Sequence, residues 1–196
     1  MSRPREVTDS QIIEVARRVF ITHGAQTPVA KVAGELGVSS TALHLRMGSK
    51  RALLLKALCP SDPPVLAKLS EPIDAAVPVN KQLREILAEL EVWTEAEIPA
   101  TFTLYSIGMR PEPGDEIDNS QPLRLRRALA DWLKRAARFA KLATAPRVAA
   151  EVLLGTLDAR ALHKFVSGKS SSEREKRTFL RDLADTIVVD ASGDVD

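Results

Sequence analysis

Apolar residues recur along this chain with the period of an α-helix, and polar capping residues mark where each helix should begin. Ile12, Ile13, Ala16, Val19 and Phe20 form one stripe behind Thr8 and Gln11, which are spaced as a capping box, and the stripe stops near Gly24. Val29, Val32, Ala33 and Leu36 form a second. Thr27 is its expected N-cap, Pro28 its first helical residue, and Gly37 the left-handed residue past its end. Ser39 then caps a third helix that turns Leu43 and Met47 inward. Gly48 breaks the chain, and Ser49 caps a fourth helix over Lys50–Leu58, with Leu53, Leu54, Ala57 and Leu58 apolar. A helix, a glycine turn and a second capped helix make a helix-turn-helix.

With Leu43 and Met47 inward, the opposite face of the third helix carries Ser40, Thr41, His44, Leu45 and Arg46. Hydroxyls, a ring nitrogen, an apolar group and a guanidinium are side chains that read base edges or hold phosphates. The same spacing also suits a plain helical hairpin with a solvated face.

From Pro60 the character changes. Pro60, Pro63, Pro64, Pro72 and Pro78 forbid a long helix, leaving one brief turn near Val65–Leu69. Helical stripes then resume. Asn80 is the expected cap of a helix bearing Leu83, Ile86, Leu87, Leu90 and Trp93, and Pro99 the expected start of a shorter one bearing Phe102, Leu104, Tyr105, Ile107 and Met109. Arg110–Pro122 is proline-, glycine- and acid-rich and reads as an exposed loop. A helix from Leu123 to about Leu142 turns Leu125, Leu129, Trp132, Leu133, Ala136 and Phe139 inward; another spans Pro146 to about Val166, and a last one starts near Ser172 with Phe179, Leu180, Leu183 and Ile187. No strand-like alternation of useful length interrupts them, so the fold class is all-α. The divisions this suggests are a helix-turn-helix domain over 1–58, a proline-rich linker over 59–79, and a larger helical domain over 80–196.

Composition narrows the function. At 196 residues the chain can build a real core, and its single cysteine, Cys59, excludes an internal disulfide framework. The start, MSRPREVTDS, is polar with no apolar segment behind it, and no run approaches eighteen apolar residues, so a cytoplasmic protein with no membrane partner is expected. Charge is unevenly spread: nine basic against four acidic residues up to Leu58 give +5, leaving −3 for the rest of a chain whose net is +2. A basic head implies a polyanionic partner, double-stranded DNA in this setting. His23, His44, His163 and Cys59 lie too far apart in sequence for metal-ligand spacing, and neither a nucleophile with its base nor a glycine-rich phosphate loop occurs; no metal, cofactor or enzymatic activity is expected.

The series IIEVARRVFITHGAQTPVAKVAGELGVSSTALHLRMGSKRALLLKAL resembles the N-terminal domain of the TetR family of bacterial transcriptional regulators, over roughly the first sixty residues. It departs from that family at His44, where a tyrosine is usual, at Met47, where a phenylalanine is usual, and at the proline-rich segment, where the family's fourth helix usually runs on. Gly34 also weakens the second helix.

The resemblance implies that Thr27, His44 and Lys50 hold phosphates while Ser39, Ser40, Thr41, Leu45 and Arg46 face the major groove. It implies a pocket among the middle helices for a small, mainly apolar effector, with Trp93, Phe102, Tyr105, Met109, Trp132 and Phe139 available to line it and Tyr105 and His163 as polar handles. It also implies a homodimer built from the last two helices, through Val148, Val152, Gly155, Thr156, Ala159 and Leu162 on one and Leu180, Leu183, Ala184 and Ile187 on the other. A ligand-released repressor on a palindromic operator is the function so implied. The alternative is a constitutive DNA-binding regulator or organiser with no ligand response.

Overall fold

The structure, a computed structural model, describes residues 7–59, 62–110, 112 and 121–189. Among these are nine helices: α1 (Asp9–His23), α2 (Val29–Leu36), α3 (Ser40–Met47), α4 (Lys50–Leu58), α5 (Val65–Lys68), α6 (Val79–Ser106), α7 (Gln121–Ala136), α8 (Pro146–Ser167) and α9 (Glu173–Asp185). Two two-residue strands, β1 (Lys141–Leu142) and β2 (Val188–Val189), pair antiparallel with Lys141 opposite Val189. The architecture is all-α.

The chain divides into two compact units. The first takes the residues up to Pro60 and then 99–119; the second takes 61–98 and 120–196. The sequence reading groups 99–110 with the large helical domain, whereas Ala100, Leu104, Ile107 and Met109 of this stretch pack with the head; most of the expected loop over 110–122 lies outside the described residues.

The first unit is organised around a core of Ile12, Ala16, Val19 and Phe20 from α1, Val29 and Val32 from α2, Leu43 and Met47 from α3, and Leu53, Leu54, Leu55, Ala57 and Leu58 from α4. Ala100 and Leu104, from the end of α6, join it. Capping fixes the register. Thr8 and Gln11 form the full capping box, Ser39 Oγ accepts from Ala42 N at 3.1 Å, and Ser49 Oγ accepts from Ala52 N at 3.1 Å.

The second unit packs α6 up to Ile98, α7, α8 and α9 around Leu83, Ile86, Leu87, Leu90, Leu129, Trp132, Leu133, Leu153 and Leu157, with Val65 and Leu69 of the linker buried among them. Gln82 ties the linker to α6: its Nε2 donates to Asp74 O and Val77 O at 2.8 and 2.7 Å, and its Oε1 accepts from Asp74 N at 3.2 Å.

Four sequence expectations need correction. First, α6 is one 28-residue helix that runs through Pro99 and starts at Val79, with Asn80 inside it. Pro99 lacks the amide hydrogen that would bond the carbonyl one turn back. Apolar faces on both sides of it are nevertheless packed, Leu83 to Leu90 in one core and Ala100 and Leu104 in the other, and that packing carries the helix across. Second, Pro28 takes the N-cap position of α2, while Thr27 turns its hydroxyl back to donate to His23 O at 3.1 Å. Third, α7 stops at Ala136, because the chain leaves the helix to pair Lys141 and Leu142 with Val188 and Val189. Phe139 is thereby exposed, not turned inward. Fourth, that small ladder exists at all; two residues per strand are too few to leave an alternating pattern in sequence.

Candidate nucleic-acid interface

The head builds its candidate site from the turn between α2 and α3 outward. Gly37 adopts φ 68° and ψ 27°, the left-handed conformation that glycine enters without steric cost, and Val38 N reaches back to Ala33 O at 3.0 Å. The chain thus reverses in a few residues, and Ser39 starts α3. Leu43 and Met47 anchor that helix to the core, so its remaining residues are turned outward. Ser39, Thr41, Ala42, His44, Leu45 and Arg46 are exposed, and Ser40 is half-buried. Gly48, at φ 77°, ends the helix and lets Ser49 cap α4 immediately. Lys50 is consequently the first residue of α4, where backbone N–H groups without helical partners face outward and attract an anion.

Three of the expected contact residues are committed within the head. Thr27 is buried and its hydroxyl proton goes to His23 O. The His44 ring donates from Nδ1 to Gly48 O at 3.0 Å, which leaves Nε2 as its outward nitrogen. The Arg46 guanidinium pairs with Asp9 and donates to Val7 O at the start of α1. Sequence reasoning saw Asp9 only as a residue at the start of α1, where its charge suits the helix dipole, and missed it as the partner of Arg46. Arg18 pairs with Glu35 at 2.7 Å and Arg17 donates to Ala57 O at 3.2 Å, so α1 is pinned to α2 and α4 as well. Lys50 makes no ion pair among the described residues.

The residues expected to line an effector pocket do not all come together. Trp93 and Trp132 share the second unit's core, Trp132 fully buried and Trp93 at its edge with a buried Nε1 that has no hydrogen-bond partner among the described residues. Phe139 and His163 belong to that unit and are exposed. Phe102 and Tyr105, both exposed, and Met109, packed against the head core, belong to the first unit. What sequence reasoning missed here is a buried charge cluster. Glu91 accepts from Arg160 Nε at 3.0 Å and lies 3.4 Å from Lys164 Nζ; Lys164 also pairs with Glu95, and Arg160 stacks over the Phe179 ring at 4.1 Å. Its signal was available: Glu91 and Glu95 on α6, and Arg160 and Lys164 on α8, are each spaced i, i+4, which presents matched charges on two helix faces.

The residues expected to pair two subunits separate cleanly. Of those on α8, Val148, Val152, Gly155, Ala159 and Leu162 recur every three or four residues and are exposed, with Val166 continuing the stripe, while Thr156 is half-buried and donates to Val152 O at 2.6 Å. Leu180, Leu183, Ala184 and Ile187 are instead buried in the second unit's own core and hold α9 and the chain after it in place.

A capped three-helix head with an outward third helix defines the class, a helix-turn-helix DNA-binding protein. The sequence model of the family described as "Bacterial regulatory proteins, tetR family" matches residues 12–57, which span α1 to α4. The head, residues 12–57, is thus a TetR-type helix-turn-helix domain. Beyond it the likeness is one of fold. The chain is 18% identical to a TetR/AcrR-family transcriptional regulator from Thermobifida fusca, covering 89% of this chain and 95% of that one with a TM-score of 0.64. A putative fatty acid metabolism regulator from Clostridium perfringens is 18% identical over 91% and 98%, TM-score 0.64. NalD, the secondary repressor of the MexAB-OprM multidrug efflux pump in Pseudomonas aeruginosa, is 17% identical over 91% and 95%, TM-score 0.59. Among curated proteins none matches it in sequence. No helix among the described residues is long and apolar enough to cross a membrane.

Proposed function

We propose that this protein is a homodimeric regulator whose two α3 helices enter successive major grooves of a palindromic operator, and that a small molecule bound in the second unit releases it. The observation that carries the reading is the head itself: a family-matched helix-turn-helix whose third helix is fixed by Leu43, Met47 and the Ser39 cap and turns Thr41, Leu45 and Arg46 outward, with Ser40 half-buried beside them. Ser39 and Lys50 at helix starts are suited to phosphates, as is the outward Nε2 of His44. Thr27 acts from below, holding the start of α2 to the end of α1.

A single head contacts too few base pairs for specific binding, and the exposed α8 stripe supplies a surface on which two subunits can meet. A two-fold axis there asks for half-sites roughly 34–36 Å apart or a multiple of that. Effector release is supported by the fold shared with a repressor of a multidrug efflux pump and with a putative fatty acid metabolism regulator. Trp93, with a buried indole N–H that lacks an acceptor, is the residue of the second unit best suited to meet an effector carbonyl or hydroxyl beside apolar side chains.

The test is selection of bound sequences from random DNA by the full chain, repeated after adding cell extract. Enrichment of an inverted repeat that extract abolishes supports the whole reading. Enrichment that extract leaves unchanged favours the constitutive regulator, and no enrichment overturns both.

A further inference from the structure

Leu45 is 88% exposed, the highest exposure of any large apolar side chain among the described residues. It lies on α3 between the inward Leu43 and Met47, and nothing in the head's core uses it. Thr41 and Ala42, one turn earlier, are exposed too. Residues three and four apart are neighbours on a helix surface, so three methyl-bearing side chains stand together. The polar groups around them are turned elsewhere. The guanidinium of Arg46 is taken by Asp9 and Val7 O, and His44 Nδ1 by Gly48 O.

What this face offers a major groove is therefore apolar contact at its centre with hydroxyls beside it. The groove presents one apolar feature to match, the 5-methyl group of thymine. We propose that Leu45, flanked by Thr41 and Ala42, determines operator specificity by enclosing the methyl group of one thymine in each half-site. This rests on α3 being the groove helix, and it names the chemistry by which that helix selects its sequence.

The experiment replaces each thymine of the selected operator by deoxyuridine, which deletes the methyl and leaves every hydrogen-bonding group in place, and measures affinity of the full chain at fixed salt. One thymine per half-site is expected to show a loss of about fourfold, the factor for withdrawing one buried methyl group, and about fifteenfold when both half-sites are changed. Leu45→Ala, at an exposed position that leaves the core intact, should bind more weakly and lose this sensitivity. Lys50→Ala should bind both DNAs more weakly and keep the ratio between them. Circular dichroism of each variant confirms the fold. A selection that enriches no sequence overturns the groove reading of α3 and this inference with it. An enriched operator indifferent to uracil at every position, or a uracil penalty that survives in Leu45→Ala, overturns the inference alone.

Discussion

Ser39, Ser49 and Lys50 set the geometry of the head in the way small polar residues can. Each serine takes one backbone amide that a helix start would otherwise leave unpaired, and such a cap contributes about 1 kcal/mol. Together they fix where α3 and α4 begin, and the second places Lys50 beside the free amides of α4. Lys50→Ala should weaken binding to every DNA sequence alike and lower the slope of log affinity against log salt by about 1. A titration series over salt concentration measures this; an unchanged slope would remove Lys50 from the interface. These capping residues were legible from the chain because a cap acts within three residues of itself. Thr27 was legible only as a helix start, and Arg46 only as a cation. Their actual partners, His23 O in one case and Asp9 with Val7 O in the other, depend on how α1 meets α2 and α3.

Among the helices, α9 and the α6/α8 pair carry the clearest consequences. The backbone N–H and the hydroxyl of Ser172 both donate to Glu175 Oε2, at 2.7 and 2.8 Å, and hold this carboxyl below the ordinary carboxylate range. A carboxyl depressed on folding lends stability that is complete above its unfolded pKa and is lost as pH falls through the folded one. The first turn of α9 should therefore fray below about pH 4, with faster amide exchange there, and Glu175→Gln should remove the dependence on pH while keeping a capping partner. Protection factors in that turn, measured against the intrinsic exchange rate at each pH, that stay constant in the parent chain would contradict it.

Glu91 makes the larger energetic claim. Its side chain is 6% exposed and it faces both Arg160 and Lys164. Removing it leaves two half-buried cations without their shared partner, so Glu91→Ala should cost about 3–5 kcal/mol in chemical denaturation, far more than a surface pair would. A loss under 1 kcal/mol would mean that the cluster is solvated. The α6 helix shows the converse lesson. Proline correctly marks an interrupted hydrogen bond in sequence, yet it does not end a helix whose two halves are each packed.

At the scale of the molecule, the exposed stripe on α8 is a feature that the packing of the single chain does not use, and the proposed dimer gives it a role. A side-chain carbon built on Gly155 meets nothing within 4 Å, so the subunit has no steric need for glycine in the middle of this helix. Glycine there costs up to ~1 kcal/mol of helix stability, and close approach of a second helix is the reason its place on the stripe suggests. Gly155→Leu should leave the thermal unfolding of the subunit little changed and weaken self-association at least tenfold by sedimentation equilibrium, an order-of-magnitude estimate from wedging a bulky side chain between packed helices. A variant that associates as tightly as the parent would place the dimer contact elsewhere.

Most of the helices, the caps Thr8, Ser39, Ser49 and Ser172, the helix-turn-helix and its basic setting could be read from the chain, because helical periodicity and capping are local and repeat over short distances. Tertiary packing decided what depends on separate segments meeting. It sent α6 through Pro99 and gave its last turns to the head, withdrew Leu180, Leu183 and Ile187 into the subunit core, and closed a charge cluster from two distant i, i+4 pairs. It also tied Arg46 back to α1. Leu45, outward already in the sequence reading, is left 88% exposed, while the partners of its neighbours His44 and Arg46 were decided only by the fold.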